Sequence, residues 1–250
     1  MSATVLATKG LDKSFGSLVV ARDIAIELPQ GVRYALIGPN GAGKTTLINL
    51  MTGMLRPDAG QILLGGEDIT ALGPEERVRR GLVRTFQINS LFPHLNPLEA
   101  VTLAICERDK IARTWWRNTA DYRDATDEAA TILNSLLLGP VCYRETRFLA
   151  YGQQRLLEIA LALATRPKVL LLDEPAAGVP REESPELFTA INSLSQDITV
   201  LFIEHDMELV FRLASRIIVM VSGGILLEGT PAEIASDPRV REVYLGGAHG

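Results

Sequence analysis

Three things are scarce in this sequence. Cysteine is one: Cys106 and Cys142 are the only two in 250 residues. That is no disulfide framework. Reduced thiols in a cytosolic protein are the plainer reading, with a single bridge as the alternative. Basic excess is another, the formal net charge being −5 at pH 7, which argues against a general nucleic-acid binder with a basic face. The third is long hydrophobic runs. None approaches the ~18 residues that cross a bilayer, and the opening MSATVLATKGLDKSFG has no long apolar stretch, so no signal peptide is expected. Internal repeats, low-complexity tracts and obvious linkers are missing too. The expectation is a soluble chain that reaches a membrane only through partners. Hydrophobic residues make up 47%, enough for a substantial core, and the length allows one large domain or two small ones.

The order of the apolar segments is informative. VLATKGL, VVARDIAIEL and RYALIG read as strands, GPNGAGKT follows, and TTLINLMTG is helical. QILLGGEDIT reads as a hairpin around Gly65 and Gly66. GPEERVRRG is a short helix and LVRTFQ a short strand. From Pro97 to about Leu138 the pattern is helical, with LEAVTLAICERDKIAR and DATDEAATILNSLLL. After that, KVLLLDE, ITVLFIE and RIIVMVS alternate as strands with the helices PELFTAINSLSQ and MELVFRLAS. Short apolar strands alternating with helices predict an α/β fold with a mainly parallel sheet. The helical middle reads as an insertion.

Gly38–Thr45, GPNGAGKT, matches G-x-x-x-x-G-K-[ST] in full, after an apolar strand and before a helix. Glycines at 38, 41 and 43 let the backbone curl so that successive N–H groups point inward. Lys44 can reach the β- and γ-phosphates of a nucleotide, and the Thr45 hydroxyl can hold Mg²⁺. KVLLLDEP supplies a carboxylate pair at a strand tip, where such sheets bind ligands. Asp173 suits the Mg²⁺ side. Glu174 is then free to accept a proton from water.

LAYGQQR, residues 149 to 155, opens a further helix. Leu156, Ile159, Ala160, Leu163 and Ala164 give it one apolar face. A helix N-terminus suits an anion, because its N–H groups are free and the dipole is positive there.

Together these pieces resemble the ATP-binding subunit of an ABC transporter, over nearly the whole chain and in order. The resemblance implies a P-loop NTPase core with a mainly parallel sheet, an N-terminal antiparallel β subdomain and an inserted α-helical subdomain. The whole of 1–250 would be one ATPase domain, with the insertion at roughly 90–165. It implies ATP and Mg²⁺, with Gly38, Pro39, Asn40, Gly41, Ala42, Gly43, Lys44, Thr45 and Thr46 around the phosphates. In that family the nucleotide is sandwiched between two subunits, and LAYGQQR stands where the signature turn, Leu-Ser-Gly-Gly-Gln, meets the partner's γ-phosphate. Ala150, Tyr151, Gly152 and Gln153 would form that contact. Ala150 replaces serine, and losing one hydrogen bond to a charged group costs roughly 1.5–3 kcal/mol. Tyr151 replaces the first glycine. Gly152's N–H and the helix dipole remain.

Carried over one position at a time, Phe15 matches the aromatic that stacks on adenine, and reads nearly as well as a core strand residue. Gln87 matches the glutamine that touches Mg²⁺ and opens the loop facing the membrane subunit. His205 matches the histidine that contacts the γ-phosphate and positions water. Catalysis would rest on Glu174, His205 and Lys44, and Glu204 is read as a neighbour, not the base. Pro180 stands near where many relatives carry an aspartate or asparagine toward the other subunit. Ala177 to Val179 would offer backbone contacts only.

LAYGQQRLLEIA, DEPAAG, FIEHDMELVF and the ending DPRVREVYLG look like the larger ATPase of branched-chain amino acid importers. Such assemblies pair two ATPase subunits with two integral membrane permeases and a periplasmic binding protein. That places the ATPase peripherally on the cytoplasmic face of the inner membrane. Relatives in the same group take urea, short amides or aromatic acids. Residues Leu91 to Thr126 would dock the permeases, through Phe92, Pro93, Leu95 and Leu98. Trp115 and Trp116, flanked by Arg113 and Arg117, serve that interface or the core equally well. The rival readings are the ATPase of a lipopolysaccharide or other lipid exporter, a soluble ABC-type ATPase outside transport, and a nucleotide-binding regulator without turnover.

Overall fold

The computed structural model describes residues 3–85, 91–110 and 119–245. Its elements, in chain order, are β1 (Thr4–Phe15), β2 (Leu18–Pro29), β3 (Arg33–Ile37), α1 (Lys44–Thr52), β4 (Ala59–Leu64), β5 (Glu67–Asp68), α2 (Pro74–Arg79), β6 (Leu82–Arg84), α3 (Pro97–Arg108), α4 (Thr119–Ser135), α5 (Tyr151–Leu163), β7 (Val169–Asp173), α6 (Ser184–Ser193), β8 (Thr199–Ile203), α7 (Met207–Leu213), β9 (Arg216–Val221), β10 (Gly224–Gly229), α8 (Pro231–Ser236) and α9 (Pro238–Leu245). Two single 3₁₀ turns, Gly139–Val141 and Thr146–Phe148, precede α5.

The chain divides into two compact units. The first comprises Met1–Arg84, Lys168–Pro175 and Ser195–Gly250. It contains both sheets. One is four-stranded and antiparallel, in the order β2-β1-β4-β5; the other is six-stranded, in the order β10-β9-β3-β8-β7-β6. In the second sheet β9, β3, β8, β7 and β6 run parallel, and β10 is an antiparallel edge hairpin on β9. The parallel strands are apolar almost throughout: β8 is buried at every position and β7 at all but Asp173. Strands covered on both faces read as continuous apolar runs, which is why KVLLLDE and ITVLFIE show no alternation. The predicted fold class, with its antiparallel N-terminal sheet, is the one found.

α1 fills the core of this unit with Leu47, Ile48, Leu50 and Met51. It ends at Gly53, whose φ of 79° is a conformation open to glycine. The carbonyls left over there are taken by Arg77 of α2. Its Nη1 donates to Leu50 and Met51 oxygens at 2.7 Å each, its Nη2 to Thr70 O at 2.9 Å and its Nε to Leu72 O at 3.0 Å. Arg77 is only 1% exposed, and a positive charge at a helix C-terminus suits the dipole.

The second unit comprises Thr85–Pro167 and Ala176–Leu194, with α3, α4, α5 and α6. α3 begins at Pro97 behind a capping box. Asn96 Oδ1 accepts from Glu99 N, and Glu99 Oε2 accepts from Asn96 N, both at 2.9 Å. α3 stops at Arg108, short of the predicted Arg113, because Lys110 adopts a φ of 55°. Arg108 forks onto Glu128 of α4 and reaches Ala164 O at the end of α5. Three helices are thereby tied by one guanidinium. Both cysteines are free thiols, Cys106 buried and Cys142 half-buried. Among the described residues, no helix is long and apolar enough to cross a membrane.

Candidate functional site

The loop between β3 and α1 is shaped by what lies against it. Gly38 has a φ of 152°, and a Cβ there would stand 2.0 Å from the Met220 carbonyl oxygen of β9. Gly43 has a φ of 101°, and its Cβ would meet Val20 O of β2 at 2.3 Å. No other residue fits at either position. The loop is pinned further by Gly223 N donating to Ala42 O at 3.0 Å.

Lys44 begins α1 and is only 6% exposed. Its Nζ donates to Gly38 O at 2.7 Å and Pro39 O at 3.0 Å, so the ammonium lies across the mouth of the loop. Burial pushes its pKa down; Glu174 and Asp173 pull it back up. A buried cation held by loop carbonyls, in a backbone curled by glycines, fits a phosphate group. Thr45, the next residue, is exposed.

β7 delivers the carboxylates. Asp173 is the last residue of the strand, in register with Ile203 of β8. Its Oδ2 accepts from Arg84 Nη2, and among the described residues no hydrogen bond to Oδ1 is found. A carboxylate oxygen and a threonine hydroxyl are the donor types a hard divalent cation takes. Glu174 follows with a φ of 48°, a left-handed conformation uncommon outside glycine, and its N–H donates to Ile203 O at 3.1 Å. The turn points its side chain beyond the sheet edge. There Oε1 meets His205 Nε2 at 2.7 Å, with side-chain exposures of 44% and 45%. A carboxylate can only accept, so the contact is a hydrogen bond in the tautomer that carries its proton on Nε2. The apolar strand before it favours a chemical part for His205, and the structure sets its ring against Glu174. Glu204, by contrast, is buried, and its Oε2 accepts the His205 backbone N–H at 3.2 Å. Phe15, at the end of β1, is 50% exposed, which removes the core reading. Lys13 Nζ lies 5.6 Å from its ring centroid and pairs with Asp58 at 2.7 Å.

The LAYGQQR turn belongs to the second unit. α5 begins earlier than its apolar periodicity shows, at Tyr151, so the turn is the first turn of the helix. Ala150 N donates to Gln153 Oε1 at 3.1 Å, half of a capping box, and Ala150 has no oxygen to complete it. Gln154 Nε2 donates to Leu149 O at 3.0 Å. Both glutamines therefore hold the turn and do not stand free in solvent. Tyr151 packs on Gly178, where a Cβ would lie 3.1 Å from the phenol oxygen. Arg155 stacks on the Tyr151 ring at 5.4 Å and donates to Ala177 O at 3.3 Å. The tyrosine of LAYGQQR and the glycine of PAAGVP thus form one packing contact. Gly152 N donates to Glu183 Oε2 at 2.7 Å. Sequence reasoning missed Glu183, which is 31 residues away, and also Arg84 and Asn49.

Gln87, Trp115, Trp116, Arg113 and Arg117 lie outside the described residues. Of the predicted docking residues, Phe92 is 59% exposed and Pro93 exposed, while Leu95 and Leu98 are half-buried.

A family model described as ABC transporter matches residues 21–177, and one described as branched-chain amino acid ATP-binding cassette transporter matches 225–250. The High-affinity branched-chain amino acid transport ATP-binding protein BraF of Pseudomonas aeruginosa is 38% identical, over 99% of this chain and 100% of its own length. LivG of Escherichia coli K12, a protein of the same description, is 40% identical with the same coverage. Among solved structures, a nucleotide-free ATP-binding cassette from an ABC transporter has a TM-score of 0.83 at 32% identity, covering 97% of this chain and 99% of that one. An ATP-binding cassette in its ADP conformation has a TM-score of 0.84 at 32% identity, covering 98% and 100%. With the phosphate loop, the carboxylate pair and the histidine already assembled on one sheet, the chain belongs to the ABC transporter family, as an ATP-binding subunit and ATPase.

Proposed function

We propose that this chain powers an importer for branched-chain amino acids or closely related small amides or acids. It would act at the cytoplasmic face of the inner membrane with two permeases, a second ATPase subunit and an extracytoplasmic binding protein. The observation that supports this most is the match of 225–250 to a family model described as branched-chain amino acid ATP-binding cassette transporter, joined to full-length likeness to BraF and LivG. Neither exporter nor non-transport readings have comparable support.

In the proposed cycle the loop from Gly38 to Thr46, with Pro39, Asn40, Gly41, Ala42 and Gly43, wraps the phosphates. Lys44 exchanges its carbonyl partners for phosphate oxygens. Phe15 offers the adenine a ring face. Thr45 and Asp173, with Gln87, would hold Mg²⁺, which would neutralise phosphate charge. Glu174 takes a proton from water as the water oxygen bonds to Pγ, and the bond from Pγ to the bridging oxygen breaks, releasing ADP. His205 donates to Glu174 and so fixes the carboxylate that orients the water. Ala150 to Gln153 face the γ-phosphate held by the partner, at an N–H that Glu183 holds in the chain alone.

The test is purification of the tagged chain from its native membranes, with identification of what accompanies it. Two permeases and a second ATPase, plus a binding protein that takes aliphatic amino acids, are expected. Lipid-export components, or ribosomes or DNA factors without membrane proteins, would overturn the reading.

A further inference from the structure

Arg84 closes β6 and is committed in two directions. Nη1 donates to Asn49 Oδ1 on α1 at 2.7 Å; Nη2 donates to Asp173 Oδ2 at the tip of β7. The arginine and aspartate side chains are 25% and 22% exposed. Asn49 stands one helical turn after Thr45, on the same face of α1. The guanidinium therefore ties the strand that carries Asp173 to the helix face that carries Thr45. A planar fork can hold both acceptors at once, whereas an ammonium is a single point charge.

We propose that Arg84 is a positioning residue for the divalent-metal site, fixing Asp173 through Oδ2 so that Oδ1 is presented toward Thr45. The inference rests on the reading of Asp173 and Thr45 as metal ligands. Carboxylates that bind metals are themselves held by outer hydrogen bonds, whose loss costs roughly 10–100-fold in metal affinity. A competing effect exists, since a guanidinium repels a nearby dication. That repulsion has the opposite sign, since its loss would lower the Mg²⁺ requirement, so experiment separates the two.

The experiment is binding of trinitrophenyl-ATP to the purified full chain, in EDTA and across a Mg²⁺ titration. Arg84→Ala and Arg84→Lys should leave metal-free nucleotide affinity unchanged and raise the Mg²⁺ concentration at half-effect about tenfold. Asn49→Ala should raise it less. Lysine failing to rescue shows that the two-point fork matters, and it keeps the test available if the alanine variant folds poorly. An unchanged or lower Mg²⁺ requirement in both Arg84 variants overturns the inference. Asp173→Asn run alongside should abolish the Mg²⁺ effect. If it does not, the metal-site reading falls and the inference with it.

Discussion

Glu183→Gln offers a quantitative test of the sandwich. The Glu183 carboxylate accepts the Gly152 N–H at 2.7 Å, a charge-assisted length, at the N-terminus of α5. Hydrogen bonds to charged groups contribute about 1.5–3 kcal/mol against about 0.5–1.5 for neutral ones. The dipole adds about 0.3–1 kcal/mol for an anion there. Since Glu183 is half-buried, about 1 kcal/mol per turn survives screening. In the proposed sandwich a partner's phosphate would have to displace this carboxylate before it could reach the N–H. Glutamine lowers that cost, so ATP-driven self-association, which opens two such turns, tightens by about 2 kcal/mol, roughly 30-fold. With a different second subunit one turn counts, and the gain is about fivefold. The same change should weaken α5 by about 1 kcal/mol, because its cap loses its charge. The assay is light scattering after size exclusion with ATP, in a Glu174→Gln chain that keeps nucleotide intact, beside thermal unfolding without nucleotide. Unchanged or weaker association, at the expected loss of stability, would refute the reasoning.

Glu174→Gln should cut ATP hydrolysis by about 10²–10⁴-fold and trap an ATP-bound dimer or heterodimer; turnover at the wild-type rate removes Glu174 as the base. Arg77→Met takes a charged donor from four carbonyls, of which Leu50 O keeps only the Gly53 N–H, so unfolding in urea should show a loss of about 3–5 kcal/mol, and a loss under about 1 would contradict the capping account. Glu158, whose side chain is 5% exposed, has its pKa pushed up to about 7 by burial, with Arg155 pulling it down less. A raised carboxylate binds its proton more tightly in the folded chain, so its contribution to stability is fully present below about pH 4.5 and is lost as pH rises through about 7. Glu158→Gln should therefore flatten the fall in unfolding free energy from pH 5 to 8, by an amount on the order of 1–3 kcal/mol. Parallel pH profiles for the two chains would contradict this.

What could be read from the sequence was local. GPNGAGKT, KVLLLDEP and LFIEH each sit at a strand tip whose apolar run announces it, so the loop, the carboxylate pair and the histidine are legible in the sequence. The hairpin at Gly65 and Gly66 was equally plain. β1 was read too short, since KSF joins the strand only by pairing with β2, Phe15 opposite Leu18. β10 was missed, as GILLEG has neither clean alternation nor length, and it exists because β9 offers an edge. α8 carried a signal that went unused: Thr230 and Glu233 form a capping box, with Thr230 Oγ1 accepting from Glu233 N at 3.4 Å. Arg84, Asn49 and Glu183 could not be found by pattern, because Arg84 lies 35 residues from Asn49 and 89 from Asp173, and Glu183 lies 31 from Gly152. Departures from the family's wording, Tyr151 and the loop around Gly178, looked independent in the sequence and proved to be one packing contact.

The parallel register of β7 on β8, with Asp173 opposite Ile203, also bears on how such a chain can change over generations. Glu174 and His205 leave adjacent strands and meet only because both strands end level. Replacing one buried aliphatic residue by another leaves that meeting intact. Deleting a single residue from either strand moves one partner by about 3.3 Å along the sheet and turns it to the opposite face. Both groups would still be encoded, and the pair would be lost. Length is thus the property these strands are least free to vary, and drift in chain length should collect in the connections and between 85 and 167, where no strand of the six-stranded sheet is interrupted.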